Sequence, residues 1–250
     1  MEQEEQKKKK KRRRKKHYLL RLLIIAMIGA GLYYFLTSPL FDVRTITVEN
    51  NSYYTKEQII SRGEAKTGYN IFSTNTGRIK DLLLGDPYIK SVRVKRSLPD
   101  TVVITVEERS EAAAVPYADI FIIIDKDGLV LRKSEIEPQM TLLTGMTIKT
   151  MEEGSPLEVE ETGALTGTLK ILEAMDATDM FFKKIDISSI KVKAYIYDQL
   201  ICEGTPDNII ESMLSGNLET VVYNLYTKGT ERGIIYVGSD NYYSFSAMLE

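Results

Sequence analysis

From Tyr18 to Leu36 the chain carries one charged residue, Arg21, in nineteen positions. At 1.5 Å per residue a helix of that length reaches about 28 Å, close to the ~30 Å of a bilayer's hydrocarbon core. Ten of the nineteen are Leu, Ile or Phe, each favouring insertion by about 0.3 to 0.6 kcal/mol. Their sum, on the order of 3 to 6 kcal/mol, outweighs one Arg placed a turn inside the boundary, from which its guanidinium snorkels to the headgroups. Tyr33, Tyr34 and Phe35 suit an aromatic belt at one interface, with Tyr18 at the other. The apolar run ends in those aromatics rather than in the small-residue site where a leader is cut. The pattern predicts a retained transmembrane helix over residues 18–38, closed by Ser38-Pro39.

Beyond it the pattern changes to short alternating runs. Val43-Arg-Thr-Ile-Thr-Val48 alternates apolar and polar positions and predicts a strand, followed by a turn at Asn50-Asn51-Ser52. Thr55 with Gln58 three residues later makes a capping box for a short helix with Ile59 and Ile60 inside, ended by Gly63 or Gly68. Ile79, Leu82 and Leu83 predict a second helix from about Asn75 to Leu84, stopped by Gly85-Asp86-Pro87. Strands from Tyr88 to Lys95 and Thr101 to Glu107 follow, turned by Ser97-Leu98-Pro99-Asp100. The order is β-α-α-β-β.

From Ile120 the chain becomes β-rich. Ile120-Phe-Ile-Ile-Ile124 and Leu129-Val-Leu131 flank Asp125-Lys-Asp-Gly128, a hairpin signal, and the unbroken apolarity of the first run predicts burial on both faces. Leu165, Leu169, Leu172 and Met175 recur at helical spacing within a helix from Glu160 to Met175. Candidate strands lie at 185–187, 190–197 and 199–202. Thr205-Pro206-Asp207 then opens a helix with a hydroxyl cap, Pro at its first position and an acid in its first turn. Its apolar stripe extends to Leu225, with a kink expected at Gly216. Two last strands, Gly233 to Val237 and Tyr242 to Ala247, are joined by Ser239-Asp240. The fold class is α+β: an N-terminal transmembrane helix, a small β-α-α-β-β unit, then a mainly antiparallel β domain with helices on one face.

Charge adds the topology. Lys7, Lys8, Lys9, Lys10, Lys11, Arg12, Arg13, Arg14, Lys15 and Lys16 are consecutive; residues 1–21 hold 11 basic and 3 acidic side chains, net +8. The remainder holds 22 basic and 32 acidic, net −10. A basic block ahead of one span keeps the N-terminus in the cytoplasm and sends the rest across, a single-pass type II arrangement. An acidic exterior argues against nucleic acid as a partner there. The one histidine, His17, lies in the basic tail and the one cysteine is Cys202. Serine–histidine and cysteine–histidine chemistry, most zinc sites and an internal disulfide are therefore unexpected outside the membrane. No cofactor, metal or small-molecule substrate is expected.

Several landmarks carry a family resemblance. Phe41-Asp-Val-Arg-Thr-Ile-Thr-Val48 follows the span; Asp86-Pro-Tyr-Ile-Lys-Ser-Val-Arg-Val-Lys-Arg-Ser-Leu-Pro-Asp-Thr101 leads into Val102 to Arg109, ending Glu-Glu-Arg; Ile124-Asp125, Gly128 and Leu142-Leu-Thr-Gly145 come next. In this order and spacing the chain resembles the bacterial division proteins called FtsQ in Gram-negative and DivIB in Gram-positive organisms. One departure is Asn50-Asn51 where many relatives have Gly-Asn. The resemblance implies a basic cytoplasmic tail at 1–17, the span at 18–38, a polypeptide-transport-associated (POTRA) domain at 41–109 and a family-type β domain at 110–250. It implies a cell-membrane protein of the division septum, a divisome scaffold. Its partners would be the small coiled-coil membrane proteins FtsB/DivIC and FtsL, extending to septal FtsW and its transpeptidase in peptidoglycan synthesis.

Two functions compete on the residues themselves. A binding scaffold fits a tethered β-rich exterior with sheet edges to offer. A membrane-anchored, carboxylate-dependent cell-wall hydrolase or transferase would instead need paired acids converging in a cleft. For the scaffold, the candidate binding residues are Tyr242, Tyr243, Ser244 and Phe245, since no charge or Pro guards positions 242–248. Alternation turns Tyr243 and Phe245 to the core and leaves Tyr242 and Ser244 for a partner.

Overall fold

The computed structural model describes residues 2–240 and 242–248, with the backbone alone over 2–17. Helix α1 runs Glu2–Leu36. The side chains of Lys7 to Lys16 lie outside the described set, as do Asn241 and Glu250. From Tyr18 to Leu36 none of the helix is buried within the protein, and Leu22, Leu23, Ile25, Met27, Ile28 and Leu32 are each more than half exposed. A helix of that length and apolarity, uncovered by protein, suits a lipid environment. The chain divides into two compact units, one through Leu83 plus Val92–Val106, the other Leu84–Ser91 plus Glu107 onward.

The first unit holds β1 (Thr45–Glu49), α2 (Lys56–Arg62) and α3 (Thr76–Leu84), and most of β2 (Ile89–Ser97) and β3 (Thr101–Glu108). Its sheet has the order β1-β3-β2. Strand β1 runs parallel to β3, with Ile46 opposite Val102 and Val48 opposite Ile104. The capping box forms: Gln58 N–H donates to Thr55 Oγ1 at 3.3 Å and Thr55 N–H to Gln58 Oε1 at 2.8 Å. The helix ends at Gly63. Ile59, Ile79 and Leu83 of the helices are buried, as are Ile46, Val102, Ile104 and Val106 of the sheet. Asn50 takes φ +62°, a left-handed conformation glycine favours and Asn tolerates.

The second unit is built on a nine-stranded sheet ordered β14-β13-β12-β11-β10-β7-β4-β5-β6. In chain order these strands are β4 (Ala113–Tyr117), β5 (Ile120–Ile124), β6 (Val130–Ser134), β7 (Thr141–Thr144), β10 (Lys184–Asp186), β11 (Val192–Tyr195), β12 (Leu200–Gly204), β13 (Gly233–Val237) and β14 (Tyr243–Ser246). Strands β8 (Ile148–Thr150) and β9 (Glu158–Val159) form a small ribbon. Three neighbours, β4/β7, β7/β10 and β12/β13, pair in parallel and the other five pairs are antiparallel. Helices α4 (Thr162–Asp176), α5 (Pro206–Leu214) and α6 (Asn217–Thr227) cover one face. Register lines up Leu143, Ile185, Ala194, Cys202 and Ile235 across five strands. These meet Leu165, Ile171 and Leu172 of α4, Ile209 and Met213 of α5 and Leu218 of α6 in one core. Ile122, Ile123 and Ile124 are all buried, so that strand is covered on both faces as its apolarity demands.

Some elements differ from the sequence pattern. One kinked helix after Thr205 is instead two, because Gly216 takes φ +72° and breaks the ladder between Leu214 and Asn217. Strands β4 and β7, in the middle of the sheet, give no periodic signal: one contains Pro116 and the other is four residues long. The last strand is shorter than expected, and Tyr242 lies in the turn before it.

The Glu-Glu-Arg and Ile-Asp landmarks prove to be two halves of one contact. Asp125 is 3% exposed. Its Oδ1 accepts the backbone N–H groups of Asp127 (3.0 Å) and Leu129 (2.8 Å), fixing the β5–β6 turn, and its Oδ2 accepts from the Arg109 guanidinium. Removing one member of such a pair strands a buried charge, at a cost of about 3 to 5 kcal/mol. Arg109→Ala should therefore lower the stability of the second unit by that order in chemical denaturation, and Arg109→Lys should recover part of it. A loss within 0.5 kcal/mol, about the size of a surface change, would show the pair to be dispensable.

Candidate partner-binding edge

Strand β14 terminates the large sheet on one side. It pairs antiparallel with β13, setting Val237 opposite Tyr243, Tyr236 opposite Ser244, Ile235 opposite Phe245 and Ile234 opposite Ser246. Asp240 at φ +55° helps form the connecting turn, in which Gly238 N–H donates to the Tyr242 carbonyl at 2.8 Å and Tyr242 N–H to the Ser239 carbonyl at 3.1 Å. The Tyr242 ring lies along Gly238, where a Cβ would come within 3.3 Å of its Cδ1. Tyr242 is 69% exposed.

Tyr243 is half-buried against the core, its hydroxyl 2.6 Å from Ser212 Oγ on α5. Phe245 shares that face but covers Gly233 at the sheet's edge rather than the core cluster, and remains partly exposed. A Cβ on Gly233 would fall 2.5 Å from the Phe245 ring, and φ there is +144°, so only glycine fits. Ser244 is exposed on the opposite face beside half-exposed Tyr236. Tyr236 is the residue that sequence reasoning missed. Its face follows from alternation in β13, but its pairing with Ser244 exists only once the register is set. The expected quartet thus separates into Tyr243 and Phe245, which fasten the strand, and Tyr242 and Ser244, which are displayed.

Elsewhere in this unit acids are paired with bases. Arg132 donates to Glu111 at 2.7 and 3.1 Å and Tyr88 Oη donates to it at 2.6 Å. The Arg132 hydrogen bond, aided by Tyr88, holds the Glu111 carboxyl below the usual carboxylate range. Asp127 is likewise held low, first by its 2.9 Å hydrogen bond from Lys90 and then by Arg109. Asp127 lines a concavity of about 280 Å³ where Glu107, Glu108 and Glu173 are interleaved with Lys90, Arg109 and Lys126. The Thr147 backbone N–H, donating at 2.8 Å, lowers Glu161. These shifts run opposite to what a general acid near neutral pH requires. The Cys202 thiol is pushed up to about 12 by burial, which keeps it protonated and inert. Among the described residues, no group of three His, Cys, Asp or Glu is arranged to hold a metal ion.

A membrane-length helix leading into a β-α-α-β-β unit, then into a mixed sheet with one helix-covered face, defines a tethered POTRA-type protein. A family model described as a POTRA domain of FtsQ type matches residues 41–109. The cell division protein DivIB of Clostridium acetobutylicum is 30% identical over 182 residues, covering 71% of this chain and 73% of that protein. The cell division protein FtsQ of Syntrophotalea carbinolica is 29% identical over 146 residues, 58% of this chain and 50% of its own. DivIB of Bacillus subtilis is 20% identical over 210 residues, 84% and 76% of the two chains. The chain belongs to the DivIB/FtsQ family of cell-division proteins.

The Glu111 shift sets a pH dependence. A carboxyl lowered in the folded state contributes stability that is complete above its ordinary pKa of about 4.3 and is lost as pH falls through the folded value. Glu111→Gln should therefore be less stable than the parent at pH 7, with the gap narrowing as pH falls from about 5 to 3. Thermal melts of both proteins across that range measure it; a constant gap would assign the effect to packing.

Proposed function

We propose that the chain is a non-enzymatic scaffold of the division machinery, with residues 1–17 in the cytoplasm and 41–250 outside at the septum. It binds FtsB/DivIC-like and FtsL-like coiled-coil membrane proteins and helps recruit or regulate septal peptidoglycan synthesis by FtsW and its transpeptidase. The supporting observation is the β14 edge. This strand has a neighbour on one side only, is fastened from behind by Tyr243 and Phe245, and carries no charge or Pro over Tyr242 to Met248. Natural edges are usually guarded, so an unguarded one is a docking resource or a hazard. A partner segment adding a strand here gains main-chain hydrogen bonds, with Tyr242, Ser244 and Tyr236 supplying side-chain selectivity. Against the carboxylate-enzyme reading, Glu111, Asp127 and Glu161 are all lowered rather than raised.

Orientation is tested with a reporter active only in the cytoplasm, fused after Glu250. It should stay silent, and become active when Lys7 to Lys16 are made neutral. Signal from the unaltered chain would place the large units inside the cell and refute the topology.

The edge is tested by Tyr242→Ala with Ser244→Glu, both at displayed positions. The double variant should keep its melting temperature and bind the exterior part of the FtsB/DivIC-like partner at least about 30-fold more weakly, as expected for a truncated hot spot of about 2 kcal/mol. Unchanged affinity in a fully folded variant would remove β14 as the binding edge.

A further inference from the structure

The chain beyond α1 is clamped to the first unit. The Asn70 side-chain amide donates to the Leu36 carbonyl at 2.8 Å, meeting a C-terminal carbonyl that has no partner within its helix. Ile71 N–H donates to the Phe41 carbonyl at 2.7 Å, Val43 N–H to Tyr69 at 2.9 Å and Gly68 N–H to Val43 at 2.8 Å. The Asn70 side-chain and backbone oxygens accept from Phe72, Ser73 and Thr74, and Arg96 braces the loop by donating to the Ile71 and Thr74 carbonyls, each at 2.8 Å. Rings continue the link: Phe35 of α1 is 5.2 Å from Phe41, which is 5.2 Å from Phe72. The helix end itself is met by one hydrogen bond, Asn70 to Leu36, and one ring contact, Phe35 with Phe41.

That clamp fixes a depth. If α1 spans, Leu36 marks the edge of the hydrocarbon, and the headgroup layer outside it is about 5 to 7 Å thick. Asn70 is bonded to Leu36, and Tyr69 and Phe72 are one and two residues away, within about 4 and 7 Å along the chain. With the Phe35–Phe41 and Phe41–Phe72 ring contacts, this sets the 69–72 loop against the outer end of α1. The apolar side chains there are poorly covered by protein: Leu40 is 50% exposed, Phe72 43% and Tyr69 61%, while their neighbours Phe41 and Ile71 are buried. Leu40 and Phe72 would be unfavourable in water and are favourable at a membrane interface, where aromatic rings in particular accumulate.

We propose that Leu40, Tyr69 and Phe72 form a second membrane contact, seating the first unit on the outer leaflet beside its own anchor. The occupant is lipid, because the surface is continuous with the membrane helix and hydrogen-bonded to its last residue. The seat makes anchor and unit one body with a defined tilt. It rests on α1 being the anchor but not on which partner the β14 edge binds.

The chain contains no Trp, so single-Trp variants of the full-length protein report depth without background. Phe72→Trp and Leu40→Trp are reconstituted in phosphatidylglycerol–phosphatidylethanolamine vesicles whose acyl chains are brominated near the headgroup. Tyr53→Trp, beyond the far end of β1, serves as the reference. The seat predicts quenching at residues 72 and 40 at least about threefold stronger than at 53, with matching protection from a water-soluble quencher. A chain that fails to float with the vesicles would refute the anchor itself. A chain that floats but shows equal quenching at 72, 40 and 53 would overturn the seat alone, leaving Leu40 and Phe72 to a protein partner. Melting temperatures equal to the parent's establish that both substitutions fold.

Discussion

The carboxylate of Asp125 is almost wholly withdrawn from water, and the second unit depends on how its charge is met. Two backbone N–H groups and the Arg109 guanidinium answer it. One pair thereby closes the β5–β6 hairpin and pins the chain where it enters the large sheet. A buried ion pair is not intrinsically stabilising compared with apolar packing, but once present neither half is dispensable. Lys90, Asp127, Glu111, Arg132 and Tyr88 extend the same neutralisation around it. The low carboxyl pKa values of Glu111 and Asp127 are the electrostatic trace of that neutralisation.

From this point the large sheet runs nine strands to an open side. Its helix-facing row, from Leu143 through Cys202 to Ile235, is continuous and dry, so strength resides in the centre. Beyond its ladder with β13, the β14 edge is fastened by the part-buried Ser212–Tyr243 hydroxyl pair and by the Phe245 ring laid over Gly233. The proposed templating of a partner segment uses a strand already paired with β13, whose geometry is set before binding so that less entropy is lost on association. The first unit has its own fixed point at Asn70, which ties a polar loop to the last carbonyl of the membrane helix.

Much of this was legible in the sequence because the signals were local. The apolar span, the Thr55–Gln58 box, the Asp125–Gly128 turn and the Thr205-Pro206 helix start each depend on a few neighbouring residues, and each formed. The position of β14 and the exposure of its Ser244 also followed from alternation, whereas Tyr242 is exposed in the turn before the strand. Where a single residue redirected the chain, the pattern was insufficient. Gly216 sits in an apolar stripe that continues past it, and only its left-handed φ separates α5 from α6.

Tertiary structure decided everything that rests on register and neighbour order. Strands β4 and β7 are too short, or too interrupted by Pro116, to show a period, yet two parallel pairings, β4 with β7 and β7 with β10, place them inside the sheet. Arg109 meets Asp125 and Asn70 meets Leu36 across 16 and 34 residues, beyond the reach of a local pattern, and Tyr236 meets Ser244 only once the hairpin register is set. The sequence by itself determined the membrane anchor, the α+β class and the family, since hydrophobic period, caps and turn residues act over a few positions. Which edge stays open and which acids are neutralised were decided only when long-range hydrogen bonds set the strand order, because those bonds depend on three-dimensional proximity rather than on composition.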